Sequence, residues 1–204
     1  MPPVEFDLRG LPPGQAPPRD AVAPAAGADA VLVRGPVPAL SAVLAALHAA
    51  GRTADVPVSW EPADDSASGG LARALGVGTG TERELGLVRD DHGGVLLHHG
   101  RVEAAGDRPR PILARRFGAR AYHDDQKVAE GPITRIDVRP DWRAVDTIGV
   151  VVMTLPLRSR RTTGRAVQLA CDPAHVVRDG VPYPRPVSRW TWYADDRVRW
   201  RLRP

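Results

Sequence analysis

Residues 174–204, AHVVRDGVPYPRPVSRWTWYADDRVRWRLRP, constrain the fold of this chain more than any other stretch. Arg197, Arg199, Arg201 and Arg203 alternate with Val198, Trp200 and Leu202. Only an extended backbone sorts such a run into one cationic face and one apolar face. Trp190 and Trp192 continue the spacing upstream, and Asp179-Gly180 has the chemistry of a tight turn. The stretch therefore reads as the closing hairpin of a sheet, with Val198, Trp200 and Leu202 inward and the arginines in water. Arginine beside tryptophan also suits stacking of single-stranded nucleic acid. The tryptophans share the apolar face, however, where core packing is their simpler use, and nucleic acid is disfavoured as a partner.

Upstream, two kinds of pattern follow each other. Residues 1–27 are rich in proline and alanine without sustained periodicity and read as an extended arm, with Val4, Phe6 and Leu8 sufficient for a short edge strand. Residues 28–92 read as a small α/β unit. Residues 30–33 form a buried strand, and Leu40, Val43, Leu44 and Leu47 mark one face of a helix that Gly51 ends. Residues 56–60 form a second strand, placed as a βαβ unit requires, and residues 71–75 begin another helix. The capping-box match TERE at 81–84 predicts a third short helix through Leu87.

Residues 93–204 change to strand character. A hairpin is expected from 95–97 and 101–104 around His98, His99 and Gly100, and one or two basic helical turns over 111–120. Six strands follow, at 133–138, 147–155, 165–170, 175–177, 186–193 and 197–202. Short strands at such spacing indicate an antiparallel sandwich or open barrel. The fold class is thus α+β, an α/β unit followed by a β-sandwich.

The formal charge of +4 is unevenly placed: residues 1–104 hold 8 basic and 13 acidic side chains, residues 105–204 hold 20 and 11. The second half favours anionic partners, such as a phosphate-bearing small molecule or a lipid headgroup. Cys171, the single cysteine, excludes an internal disulfide and reads as a small core residue. The basic count is almost wholly arginine, with Lys127 the one lysine, as in a GC-rich, actinobacterial-type composition. The amino terminus lacks the basic-then-apolar order of a signal peptide, and residues 148–155, the longest apolar run, fall far short of a membrane span. A soluble cytoplasmic protein is expected.

No HExxH, GxSxG or strand-borne GxGxxG occurs. His123, Asp124 and Asp125 form the densest cluster of metal-ligating types and read as a polar loop.

The order of elements resembles the diacylglycerol kinase and lipid kinase superfamily, to which NAD kinases are related. VVRDGVPYPRPV and the ending VRWRLRP are similar to the family's closing turn and last strand, and DDQKVAEGPITRIDV at 124–138 to its step into a sandwich strand. AAGADAVLVRG at 25–35 resembles the strand before its phosphate loop. PADDSASGGLARALG at 62–76 resembles the second motif, P-x-G-T-x-N-D-x-A-R-x-L-G. The resemblance implies a truncated, Rossmann-like nucleotide unit joined to a β-sandwich, with the first strand and helix lying ahead of Met1. The polar positions differ. Ser66, Ala67, Gly69 and Gly70 stand in place of Gly-Thr and Asn-Asp, and the GGDGT loop is replaced by Arg34, Gly35, Pro36, Val37 and Pro38. Prolines lack the N–H groups that cradle phosphate.

These departures imply a kinase-like fold without catalysis and without a resident cofactor, binding an anionic ligand or a protein partner. The ligand-binding candidates are Asp64 and Asp65 at the expected nucleotide cleft, and Arg158, Arg160, Arg161 and Arg165 on a cationic hairpin tip opposite it. Two alternatives stand beside this reading. One is an active kinase using ATP and Mg2+ at a rebuilt site. The other is a structural homo-oligomer paired through sheet edges.

Overall fold

The computed structural model describes residues 2–106, 116–144, 146–154 and 158–204. Strand β1 (Val4–Asp7) is followed by a four-residue helix α1 (Arg19–Val22), a 3-10 helix (Ala23–Gly27), β2 (Val31–Gly35), α2 (Val37–Ala49), β3 (Pro57–Pro62) and α3 (Ser66–Leu75). Among the described residues only strands come after them: β4 (Arg83–Asp90), β5 (Gly100–Ala104), β6 (Phe117–His123), β7 (Gln126–Ile133), β8 (Arg135–Pro140), β9 (Ile148–Thr154), β10 (Arg158–Gly164), β11 (Ala166–Arg178), β12 (Val181–Pro182) and β13 (Val187–Arg203).

The helices form where sequence chemistry asks for them. Pro36 and Pro38 sit before and within the first turn of α2, where a missing N–H costs no helical bond. Its Val37, Leu40, Val43, Leu44 and Leu47 are buried, and Gly51 follows with φ of 69°. Asp65 caps α3, accepting from the Ser68 N–H at 2.8 Å and the Ser68 hydroxyl at 2.7 Å. Gly76 closes that helix with a left-handed φ of 74°.

The strands join one hydrogen-bonded sheet in the order β1-β2-β3-β13-β11-β5-β8-β9-β10. β1, β2 and β3 are parallel, and β13 adds to them in parallel through Arg201–Arg203 beside Pro57–Ser59. From β13 onward the pairing is antiparallel, giving an α/β unit that passes into a β-sandwich. Two cores result. One gathers Val33, Leu40, Leu44, Trp60 and Leu71 between sheet and helices; the other gathers Val102, Ile136, Val150, Val167 and Val176 inside the sandwich. β13 spans both, giving Trp200 and Leu202 to the first core and Trp190 and Trp192 to the second.

Several sequence expectations are corrected. Residues 2–27, expected as an extended arm with a short edge strand, do carry that strand, and two short helices follow it. β1 pairs in parallel with β2, and Phe6, Val22 and Ala25 are buried. The capping box at 81–84 does not open a helix. Leu85 and Leu87 alternate with Glu84 and Gly86, and β4 pairs antiparallel with β13, so the period of two overrides the local cap signal. Residues 95–97 do not pair with 101–104, because β5 takes β11 and β8 as its neighbours.

Of the helical turns expected over 111–120, residues 111–115 lie outside the described residues, and from Phe117 the chain is strand β6, between β7 and β11. Segments 165–170 and 175–177 merge into β11 across an irregularity between Ala170 and Ala174; 186–193 and 197–202 merge into β13 across another between Asp195 and Arg199. The expected hairpin tip at Arg158, Arg160 and Arg161 is the edge strand β10. Asp179 and Gly180 do turn the chain, with φ of 51° and 85°, linking β11 to β12. Among the described residues no helix is long and apolar enough to cross a membrane.

Candidate functional site

The carboxyl ends of β2 and β3, where α/β sheets place ligands, are occupied by contacts within the protein. The Gly35 carbonyl accepts from the Trp60 indole at 3.0 Å and from the Ala63 N–H at 3.1 Å. Gly35 has φ of 148°, and a Cβ there would stand 2.9 Å from the Leu8 backbone, so the crossing of β1 past β2 requires glycine. Arg34 is engaged by Glu5 at 2.5 Å and Glu61 at 2.7 Å. Asp65 is spent on the α3 cap, while Asp64 is exposed at the same helix start.

Beside this edge runs a loop carrying His98 and His99. It is held by Asp179, whose buried carboxylate accepts the backbone N–H groups of Leu97 at 2.9 Å, His98 at 2.8 Å and His99 at 2.9 Å. Burial pushes the Asp179 carboxyl above the usual carboxylate range; the three N–H groups pull the other way without offsetting it. Burial also drives the His98 imidazole down, helped by Arg139 and opposed by Asp179 and Asp65.

His99 leads from this loop to the outer face of the sandwich. Its Nε2 lies 2.8 Å from Asp137 Oδ1 on β8. Arg135 Nε is 2.7 Å from the same carboxylate and Arg101 Nε 3.4 Å. The Asp137 side chain is 13% exposed; burial alone would raise its pKa, but the His99 hydrogen bond and the Arg135 and Arg101 charges bring it below the usual value.

The sheet register extends the cluster. Across one row, Arg161 on β10, Val151 on β9, Asp137 on β8 and Arg101 on β5 are successive neighbours. Arg139 pairs with Gly149 in the row beyond, which leaves no side chain between it and β9. Ile136, Val138 and Val102 alternate with these positions and fill the core, so the charged residues share the opposite face. Asp137 thus serves two guanidinium groups, with Arg161 two strands away in the same row and Arg139 in the next. Glu103, opposite Arg135 on β5, is the second carboxylate of this face, so four guanidinium groups stand against two carboxylates and a cationic surplus remains.

The structure separates the sequence candidates. Arg161 belongs to the Asp137 face. Arg158 and Arg160 have the opposite parity on β10, the side on which Thr162 meets His123 Nδ1 at 2.7 Å. Arg165 pairs with Asp196 at 2.6 Å, and its backbone N–H donates to Asp124. Asp64 and Asp65 follow β3, six places from β10 in the sheet order, and no hydrogen bond or ion pair among the described residues joins them to these arginines.

Arg101, Arg135, Asp137, Arg139 and His99 were absent from the sequence candidates. The alternation in TRIDVR marks β8 as a charged-out strand, but the cross-strand partners that make Asp137 a hub come from 36 and 38 residues away.

No protein-family model matches the chain, and no curated protein matches it. Solved structures do. A diacylglycerol kinase from Bacillus anthracis str. Sterne superposes with a TM-score of 0.67 at 11% identity, covering 98% of this chain and 96% of that one. An NAD kinase from Archaeoglobus fulgidus in complex with ATP gives a TM-score of 0.53 at 11% identity, over 93% of this chain and 82% of that one. The chain has the fold shared by these kinases.

Proposed function

We propose that this chain of diacylglycerol kinase-like fold is a non-catalytic module that binds a phosphate-bearing small molecule on the Asp137 face. The carrying observation is the surplus of guanidinium there: Arg135 and Arg101 share Asp137, Arg139 and Arg161 flank it, and Glu103 opposite Arg135 is the one further carboxylate the register brings to these rows. Guanidinium forks match phosphate oxygens, and each charge-assisted bond contributes ~1.5–3 kcal/mol. Against phosphoryl transfer stand Pro36 and Pro38, which present no N–H, the engaged Gly35 carbonyl, and an Asp65 carboxylate already committed to a helix cap. Sheet-edge pairing gains no support from β10, whose exposed arginines blunt an edge.

Calorimetric titration with inorganic pyrophosphate tests binding, and incubation with labelled ATP and Mg2+ tests transfer. Saturable pyrophosphate binding without ATP turnover is expected. ATP-dependent phosphorylation of a lipid or of NAD, abolished in Asp64→Ala, would establish the active-kinase reading in its place.

A further inference from the structure

A second site, independent of the Asp137 face, lies on the helical side of the molecule. A cavity of about 630 Å³ runs between α1 with its following 3-10 helix, the outer side of α2, and the turn at 92–95. This volume is within the ~300–1,000 Å³ of small-molecule sites. Helix α2 is apolar on both sides: Leu40, Val43, Leu44 and Leu47 enter the core, while Ala42, Ala45, Ala46 and Ala49 line the cavity. Lining residues from Pro38 to Ala50 span ~18 Å of helix at 1.5 Å per residue, so the space is elongated. Its floor makes no polar demand, because the buried Ser41 hydroxyl already donates to the Val95 carbonyl at 2.7 Å.

The arginines that line this cavity bring positive charge to an apolar space. Its ionisable lining side chains are Arg19, His92 and Arg178, with no carboxylate among the lining residues. Arg178 is fixed in place. Its Nη1 meets the carboxylate of Asp90, which is fully buried and accepts the His92 and Gly94 N–H groups, both at 2.9 Å. A Cβ on Gly94 would come within 1.6 Å of Arg178 Nη1, so glycine is what lets the guanidinium lie over this turn. Among the described residues no hydrogen bond uses Nε or Nη2 of Arg178, leaving both nitrogens of one pre-positioned edge of the guanidinium to donate. The His92 ring stacks on buried Trp190 at 4.4 Å and 9°, which makes that rim rigid.

We infer that the cavity binds a single-chain organic carboxylate, its hydrocarbon along the alanines of α2 and its carboxylate on the unused guanidinium edge of Arg178. The lining supplies apolar length and positive charge together, which suits an anionic amphiphile and repels a cationic one of equal length.

The test uses laurate below its micelle concentration, followed by calorimetry and by the amide shifts of α2. One-to-one binding is expected, with shifts at Ala45, Ala46 and Gly94, and no binding of dodecyltrimethylammonium. Ala46→Leu fills the space and is expected to weaken laurate at least tenfold while the thermal transition persists. If that variant fails to fold, Ala49→Leu at an exposed lining position serves the same purpose. Absence of laurate binding, equal binding of the cationic amphiphile, or undiminished affinity in the filled variants would overturn the inference. Pyrophosphate titration reads the other face, so either conclusion can fail without the other.

Discussion

The strand ends of the α/β unit and the outer face of the sandwich both gather charged side chains, but they balance them differently. At the strand ends every charge that could meet a ligand is countered within the chain, apart from exposed Asp64: Arg34 has two acids, and Asp65 has the α3 terminus. On the sandwich face Asp137 is outnumbered by its cations. Contacts within the chain thus engage most charges at the strand ends, while the sandwich face keeps guanidinium groups in excess of carboxylates.

The sharpest way to break this comparison is to remove the brace common to both regions. Asp179→Ala strips three backbone N–H groups of their acceptor inside the protein. An orphaned buried donor costs ~1–3 kcal/mol, so a loss of several kcal/mol is expected by urea unfolding, with both regions disturbed. Second in size, Arg135→Ala should weaken pyrophosphate about tenfold, corresponding to ~1.4 kcal/mol, with little change in the thermal midpoint. Asp65→Ala should do the converse: it removes an N-cap worth ~1 kcal/mol and leaves pyrophosphate affinity unchanged.

A smaller, pH-linked effect follows from the histidines. Burial lowers the pKa of His48, His98 and His123. A lowered imidazole binds fewer protons in the folded state than in the unfolded one, so its contribution to stability is present above the unfolded value of about 6.5 and is lost as pH falls below it. The histidines should therefore lower stability from pH 7 toward pH 5, against an opposite contribution from Asp179, whose raised carboxyl favours the folded state as pH falls; His98→Gln should flatten part of the histidine slope. Smallest of all, Arg161→Ala should reduce pyrophosphate affinity a few-fold, since the residue stands two strands from Asp137.

How much of this was legible in the sequence depends on how local the cause is. The apolar spacing of α2, the Asp179-Gly180 turn and the inward tryptophans of β13 follow from short-range periodicity, and all are present. β4 was misread because the capping box is a four-residue signal, whereas its Leu85 and Leu87 alternation is enforced by a partner over a hundred residues away in β13. β11 reads in the sequence as two strands, 165–170 and 175–177, but the gap between them is only an irregularity in a continuous strand. Asp64 and Asp65 were legible as a position, but Asp65 proves to be a cap. The Asp137 hub had no linear signature, because its guanidinium surplus is created by register between β5, β8, β9 and β10.

Cys171, expected as a small core residue, is half-buried against the edge of the sandwich core, and burial pushes its thiol up to about 11.

The central claim is that the sandwich face, rather than the strand ends, receives phosphate. Backbone amide shifts during a pyrophosphate titration address it directly. Saturable shifts are expected at residues 99–103, 135–139 and 149–153, with residues 35–38 and 63–68 unmoved. Shifts confined to 35–38 and 63–68, with 99–103 and 135–139 silent, would contradict it.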